Sequence, residues 1–203
     1  MSTEKIFIKV FQLPDFSDSE ILRYAGARGC KEKYSELLSV AKSELNSCVQ
    51  NTVLYRFCNI AVSGTECDFG FAKICSSALA KCLEGAERVI FMCTTAGIGI
   101  DRLILKYERL SSAVAHIISS AGSERVEALC DTFCDTVAAE LSVGGYELTP
   151  RFSPGYGDLP LEFQKEMFAY LSPEKHIGLT LNDSLLMSPS KSVSAIIGIR
   201  KKK

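Results

Sequence analysis

The segment from Arg151 to Asp158 (RFSPGYGD) carries residue types suited to holding a small charged ligand. Arg151 offers a planar fork of N–H donors that can bind a carboxylate through two hydrogen bonds. Pro154 fixes one backbone dihedral, Gly155 permits a positive φ, and the ring of Tyr156 offers a face to another ring or to a sulfonium cation. Together with exposed backbone groups, these features fit an amino acid joined to a nucleoside. A rigid surface turn with a salt bridge from Arg151 explains the pattern equally well.

Other patterns that could carry chemistry are incomplete. Gly97-x-Gly99 lacks the third glycine of a dinucleotide fingerprint and the lysine of a P-loop, so we interpret it as a structural turn. His116 and His176 are far apart, and no serine lies in a Gly-x-Ser-x-Gly motif, so nothing indicates a hydrolytic triad. The nine cysteines include no Cys-x-x-Cys pair, which favours reduced and mostly buried thiols over a disulfide framework or a zinc site.

Composition and charge narrow the class of protein. The 203 residues are 47% hydrophobic and 23% charged, which is ordinary for one globular domain with a core. A net charge of -1 gives no electrostatic reason to expect nucleic acid or an anionic membrane as a partner. The apolar runs are shorter than a membrane-spanning helix requires, and the N-terminus has no signal-peptide pattern. We therefore expect a cytoplasmic protein.

Hydrophobic periodicity and turn residues predict an irregular order of strands and helices. Strands are expected at 5–13, 51–63, 88–94, 177–181 and 193–199, and helices at 31–49, 70–83, 101–120, 123–141 and 162–171, with a short helix after the capping pair Ser17 and Glu20. The two long helices are separated at Ala121-Gly122, residues 150–160 form an irregular loop, and the basic residues 200–203 form a frayed tail. This order predicts one α+β domain over 1–203, with an antiparallel or mixed twisted sheet flanked by helices.

Several short motifs occur in the same order as in one known family. Arg151, Gly155 and Tyr156 match an Arg-x-x-x-Gly-Tyr signature, and they are followed by the segments Leu179–Ser184, Met187-Ser188-Pro189 and Ser192-Val193-Ser194. In these residues the chain resembles the activation domain of cobalamin-dependent methionine synthase, which binds S-adenosylmethionine. The resemblance covers 86–199, whereas 1–85 is poorly matched. As a whole, the chain resembles the stand-alone bacterial form of this domain.

The resemblance implies roles for four residues of the loop. Arg151 would hold the carboxylate of S-adenosylmethionine, and the backbone at Ser153 and Gly155 would contact the adenine end. Tyr156 would shape the pocket near the methionyl or nucleoside part of the ligand.

Three residues outside the loop are also implicated by the resemblance. Glu127 would pair with the ammonium or the ribose of the ligand, although an exposed helical carboxylate is an equally good interpretation. Lys191 and Ser192 would line the rim that faces the cobalamin.

The resemblance further implies an accessory reactivation subunit rather than a complete enzyme. Cobalamin carried by a separate methionine synthase or other corrinoid protein would be reduced by a flavodoxin- or ferredoxin-type donor and then methylated from S-adenosylmethionine. Such a methyl transfer needs alignment of the reactants and exclusion of water rather than an acid–base pair. The family domain continues beyond its Ser-Val-Ser segment, whereas this sequence ends at Lys203. The alternative is therefore a scaffold module that binds a corrinoid protein and has lost S-adenosylmethionine binding.

Overall fold

A five-stranded antiparallel sheet forms the centre of the protein in a computed structural model that describes residues 5–202. The elements in chain order are β1 (Ile6–Val10), α1 (Asp18–Tyr24), α2 (Lys31–Asn46), β2 (Thr52–Asn59), β3 (Ala61–Ser63), β4 (Glu66–Asp68), β5 (Lys73–Cys75), α3 (Ser77–Cys82), β6 (Ala86–Thr95), α4 (Ile98–Glu108), α5 (Ser112–Ser142), β7 (Tyr146–Leu148), α6 (Phe163–Leu171), α7 (Pro173–Ile177), β8 (Thr180–Leu181), β9 (Met187–Ser188) and β10 (Ser192–Lys201). The central sheet has the order β1-β2-β6-β10-β7, and two small sheets have the orders β3-β4-β5 and β8-β9. The predicted α+β class is confirmed, and the sheet is antiparallel throughout its described pairs.

The two central strands are buried because both faces of the sheet are covered. β6 and β10 pair along their lengths, with Ser194 opposite Cys93 and Ile196 opposite Phe91. One face packs against α6 and the small sheets, and the other packs against the C-terminal half of α5. A third cluster joins α1, α2 and α4 to the N-terminal half of α5. The long α5 therefore links the sheet to the helical side of the protein.

The predicted break between two helices at Ala121-Gly122 is wrong. The chain breaks instead at 109–111, where the Ser111 hydroxyl accepts a hydrogen bond from the Val114 amide and caps α5. Gly122 lies inside this helix. An added Cβ there would lie 2.9 Å from both Ile100 Cγ2 and Lys191 Cγ, so the glycine serves close packing and does not end the helix.

Four other predicted elements are shorter than expected or differ in type. The predicted helix 70–83 contains β5 and a helix that starts only after Ser76, whose hydroxyl caps α3. The predicted strand 51–63 is interrupted at Ile60, where the chain leaves the central sheet for β3. Most of the predicted strand 177–181 is coil or helix, because α7 continues to Ile177 and is capped by Gly178, which has φ of 66°. Arg200 and Lys201 belong to β10 rather than to a frayed tail.

Most other predictions agree with the structure. Ser17 caps α1 by accepting a hydrogen bond from the Glu20 amide, and all nine cysteines are free thiols. The expectation that most of the cysteines are buried is wrong, because Cys58, Cys67, Cys93 and Cys130 are buried while the other five are partly or fully exposed. Within residues 5–202, the helices are too short or too polar to cross a membrane.

Candidate functional site

A cavity of about 700 Å³ lies beside the loop that carries Arg151. Its walls come from α5, the loop after β7, the start of α6, β9 and the first residues of β10. The lining residues are Glu127, Pro150, Arg151, Phe152, Ser153, Tyr156, Gln164, Met187, Ser192, Val193 and Ser194. The volume lies in the range of pockets that enclose a small organic ligand.

Backbone hydrogen bonds fix one end of the loop to the sheet. Phe152 exchanges two backbone hydrogen bonds with Ile196 of β10, at 2.9 and 2.8 Å. Gly155 has φ of 90°, and its amide donates to the Leu159 carbonyl at 2.9 Å. The positive φ expected of Gly155 is therefore present, and it closes the turn that brings Tyr156 to the cavity.

Asp158 ties the other end of the loop to α3. Its carboxylate accepts hydrogen bonds from the Ser76 hydroxyl, from the amide and hydroxyl of Ser77, and from the Ala78 amide. The hydrogen bonds from Ser76 and then Ser77 hold the pKa of this carboxyl well below its usual range. An added Cβ on Gly157 would lie 2.8 Å from Ala78 Cβ, so the loop approaches the helix closely. The loop is therefore held at both ends.

The guanidinium of Arg151 is held by two carboxylates of α5. Its Nη2 donates to Glu127 Oε2 at 3.0 Å and to Asp131 Oδ1 at 2.9 Å. Within residues 5–202, its Nε and Nη1 have no hydrogen-bond partner. Burial opposes the charge of Arg151, but the neighbouring Cys130, Glu127 and Asp131 outweigh it, so the pKa of the guanidinium is raised. Nη2 is thus anchored, while Nε and Nη1, which point in different directions, can each still donate to an anionic ligand.

The other loop residues with predicted roles differ in whether they line the cavity. Ser153 and Tyr156 both line it, and the ring of Tyr156 is largely exposed at its mouth. Gly155 is not among the lining residues, and its amide is already used within the loop. The Ser153 carbonyl accepts from the Tyr156 amide at 3.2 Å. The geometry therefore gives Gly155 a part in shaping the loop, while Ser153 borders the space itself.

Lys191 and Ser192 lie on either side of the start of β10. Ser192 lines the cavity, and its hydroxyl donates to the Pro189 carbonyl at 2.8 Å. Lys191 is directed toward α5, where its Nζ donates to the hydroxyls of Ser119 and Ser123. Burial lowers the pKa of this lysine.

The Gly97-x-Gly99 turn has the structural role predicted for it. Gly97 has φ of 91°, and an added Cβ on Gly99 would lie 2.7 Å from both Cys48 Cβ and the Cys48 carbonyl oxygen. The two glycines thus allow α4 to pack against the residues that follow α2. His116 has a partner as well, since its Nε2 lies 3.2 Å from the Ala25 carbonyl oxygen.

Sequence reasoning missed three polar residues of this site. Asp131 follows Glu127 by four positions, a spacing that places both carboxylates on one face of a helix. Ser194 follows Ser192 by two positions in a strand, so both point to the same side of the sheet. Gln164 occupies a buried position of α6, and no motif in the sequence distinguishes it.

The fold is that of a known class of domain. A crystal structure described as the MetH reactivation domain bound to AdoHcy superimposes with a TM-score of 0.74 at 15% sequence identity. The match covers 98% of this chain and 79% of that one. A search among curated proteins found no match to the sequence.

The family follows from the sequence itself. The family model described as vitamin B12 dependent methionine synthase, activation domain, matches residues 74–202. The chain therefore belongs to this family, and the resemblance found in the C-terminal motifs is confirmed. The match begins upstream of the region in which those motifs lie.

Proposed function

We propose that this chain binds S-adenosylmethionine beside Arg151 and supports the reductive methylation of cobalamin on a separate corrinoid protein. The observation that carries the proposal is the half-anchored guanidinium at the cavity. Its Nη2 is occupied by Glu127 and Asp131, while Nε and Nη1 have no partner in the described part of the chain. Nε and Nη1 point in different directions, so each of them can donate one separate charge-assisted hydrogen bond to a ligand carboxylate.

The remaining lining residues suit the rest of the ligand. Ser153 offers backbone groups for the adenine, and the exposed ring of Tyr156 can cover the sulfonium or the nucleoside. Glu127 borders the cavity, so its carboxylate can also attract the ligand's ammonium group. None of these roles requires an acid–base pair, which agrees with transfer of a methyl cation to a strong nucleophile.

The protein's part in the reaction is to hold and orient the methyl donor. The partner's corrinoid, reduced by a flavodoxin- or ferredoxin-type protein, would supply the nucleophile that takes the methyl group. Tyr156 and Met187 at the cavity mouth would exclude water from the sulfonium until the partner covers it. We expect this to occur in the cytoplasm, with a cobalamin-dependent methionine synthase or another corrinoid protein as the partner.

A reconstituted reduction assay tests this proposal. A cobalamin-dependent methionine synthase fragment without its own activation domain is prepared as cob(II)alamin and mixed with reduced flavodoxin and S-adenosylmethionine. Its visible absorption spectrum should change to that of methylcobalamin only when this chain is present. The Arg151→Met variant should fail, while Arg200→Met, which alters an ion pair with Glu147 on the sheet, should support the change. Equal rates with and without the chain would contradict a reactivation role on this partner.

The scaffold alternative is favoured by the same two ion pairs. Because Glu127 and Asp131 already satisfy part of Arg151, the guanidinium has a purely structural use as well. In that case the chain would bind a corrinoid protein equally well with Arg151→Met and would release no heat with S-adenosylmethionine. Calorimetry with the ligand and pull-down with the corrinoid protein therefore separate the two functions.

A further inference from the structure

Helix α4 has two faces with apolar residues, and within residues 5–202 only one of them is covered. The inner face packs against α2 and the N-terminal half of α5 through Ile100, Leu103, Ile104 and Tyr107. The outer face carries Ile98 and Leu105, which are 40% and 62% exposed. Single exposed apolar residues are common on protein surfaces, so the residues around these two decide whether the face has a use.

Two arginines share the outer face with these apolar side chains. Ile98, Arg102, Leu105 and Arg109 follow one another at intervals of four, three and four residues, so they lie within about 60° around the helix axis. Both arginines are exposed, and in the described part of the chain neither has an ion-pair or hydrogen-bond partner. Lys106, on the flank of the same helix, is by contrast paired with Glu44 at 3.1 Å. Unpaired arginines beside exposed apolar side chains are typical of a surface that meets an acidic partner.

The outer face of α4 begins close to the cavity described above. Ser190 donates its amide to the Asp101 carboxylate in the first turn of α4 at 3.2 Å, and Ser192, two residues further along, lines the cavity. Thr95, which ends β6 just before the turn into α4, is paired with Ser192. A protein that covers the cavity mouth with a standard interface, about 800 Å² on each side, would therefore also reach α4.

We propose that the outer face of α4 docks an acidic amphipathic helix of the corrinoid protein. This rests on the proposed function, in which the corrinoid protein must cover the cavity, whereas the electron donor must reach only the corrinoid. Carboxylates of the partner would pair with Arg102 and Arg109, and an apolar side chain between them would cover Leu105. Because the chain has a net charge of only -1, this attraction is local, and it would orient the partner over the bound methyl donor.

Binding to the methionine synthase fragment of the reduction assay tests this surface. The fragment is immobilised as cob(II)alamin, and the association and dissociation rates of the full chain are measured at low and at physiological salt. We expect the double variant Arg102→Gln/Arg109→Gln to bind at least about 10-fold more weakly at low salt, mainly through slower association, and to lose most of the salt dependence. Leu105→Ser should weaken binding at least about 5-fold through faster dissociation.

Matched controls separate a local effect from a general one. Lys81→Gln/Lys175→Gln removes the same charge from exposed residues of α3 and α7, whose helices pack in a different core cluster from α4. Val143→Ser removes an apolar side chain that is 91% exposed beyond the end of α5. Both controls should bind the fragment as the wild type does. Every variant should bind S-adenosylhomocysteine within about 2-fold of the wild type, because none of the changed residues lines the cavity.

The possible outcomes separate this inference from the function on which it rests. If the double variant and Leu105→Ser both keep full affinity for the fragment, the docking surface is wrong and the proposed function stands. If the double variant instead loses affinity for flavodoxin while its affinity for the fragment is unchanged, the face belongs to the electron donor and the inference is overturned. If the wild type does not bind the fragment, the inference fails with the proposed partner, whereas calorimetry with S-adenosylhomocysteine tests the proposed ligand separately.

Discussion

Replacing Arg151 by methionine should remove ligand binding while leaving the fold almost intact. Methionine keeps an unbranched stem of similar length but has no donors for a carboxylate. Within residues 5–202, Nε and Nη1 of Arg151 have no hydrogen-bond partner, while its Nη2 donates to Glu127 and Asp131. The substitution therefore acts on two separate sets of interactions, and their magnitudes differ.

The loss of affinity should be much larger than the loss of stability. Removing one partner of a hydrogen-bonded charge pair in a binding site costs about 2–5 kcal/mol, which is roughly 30-fold to several thousand-fold in dissociation constant. The internal ion pairs are half exposed, with Glu127 at 41% and Asp131 at 69% side-chain exposure. Such pairs contribute at most about 1 kcal/mol each, and the two carboxylates left behind repel by only about 0.2–0.5 kcal/mol.

Calorimetry with S-adenosylhomocysteine and urea unfolding measure the two quantities on the same protein. The expected result for Arg151→Met is a dissociation constant raised by at least about 30-fold, with the free energy of unfolding reduced by no more than about 2 kcal/mol. Arg200→Met is the control, because Arg200 also forms a half-exposed ion pair, with Glu147 at 2.7 Å, but lies away from the cavity. Unchanged affinity in Arg151→Met, or an equal loss of affinity in Arg200→Met, would refute the reasoning.

Three further substitutions test the supporting structure. Gly99→Ala should lower the free energy of unfolding by about 1–2 kcal/mol in urea titrations, because its new Cβ would lie 2.7 Å from the Cys48 backbone oxygen. Gly144→Ala is the control and should be close to neutral, because its new Cβ would lie 3.4 Å from the nearest atom. Asp158→Asn should lower the melting temperature and weaken S-adenosylhomocysteine binding. Because the pKa of this carboxyl is lowered in the folded protein, its ionised form stabilises the fold above about pH 4, so the difference in melting temperature from wild type should shrink in more acidic buffer. Burial raises the pKa of Glu124, so the stability of the wild type relative to Glu124→Gln should fall as the pH rises above about 4, the ordinary pKa of a glutamate in the unfolded chain.

Each of these three has an outcome that would contradict it. Equal stability of the two alanine variants would show that the contact near Cys48 relaxes freely. An Asp158→Asn variant with wild-type affinity would mean that the loop does not need its attachment to α3. A pH-independent difference for Glu124→Gln would mean that the Glu124 carboxyl titrates alike in the folded and unfolded protein.

The sequence predicts elements best where the local signal and the tertiary packing agree. The cap at Ser17 and the buried strand predicted at 88–94 are both observed, because a capping hydroxyl and a run of apolar residues act locally. Gly122 misled the prediction because a glycine inside a helix can serve close packing, here against Ile100 and Lys191, as well as a break. Whether a glycine breaks a helix or allows close packing depends on which element lies opposite it, and the local sequence does not determine that.

The site was only partly predictable for the same reason. Arg151 and Tyr156 belong to a recognisable loop motif, and the structure brings them to one cavity with Glu127. The partners that complete the arrangement come from separate elements. Asp131 is on α5, Gln164 on α6 and Ser194 on β10, and only the folding of these elements around the loop reveals their proximity. Single polar residues in otherwise apolar patterns carry a signal that sequence alone does not assign.

A crystal structure of this chain with S-adenosylhomocysteine tests the central claim most directly. We predict that the ligand's carboxylate lies within hydrogen-bond distance of either Nε or Nη1 of Arg151, with Nη2 still directed toward Glu127 and Asp131 and the nucleoside enclosed by the loop and β10. A ligand bound elsewhere, or a guanidinium that contacts only its own carboxylates while the ligand occupies the cavity, would contradict the account.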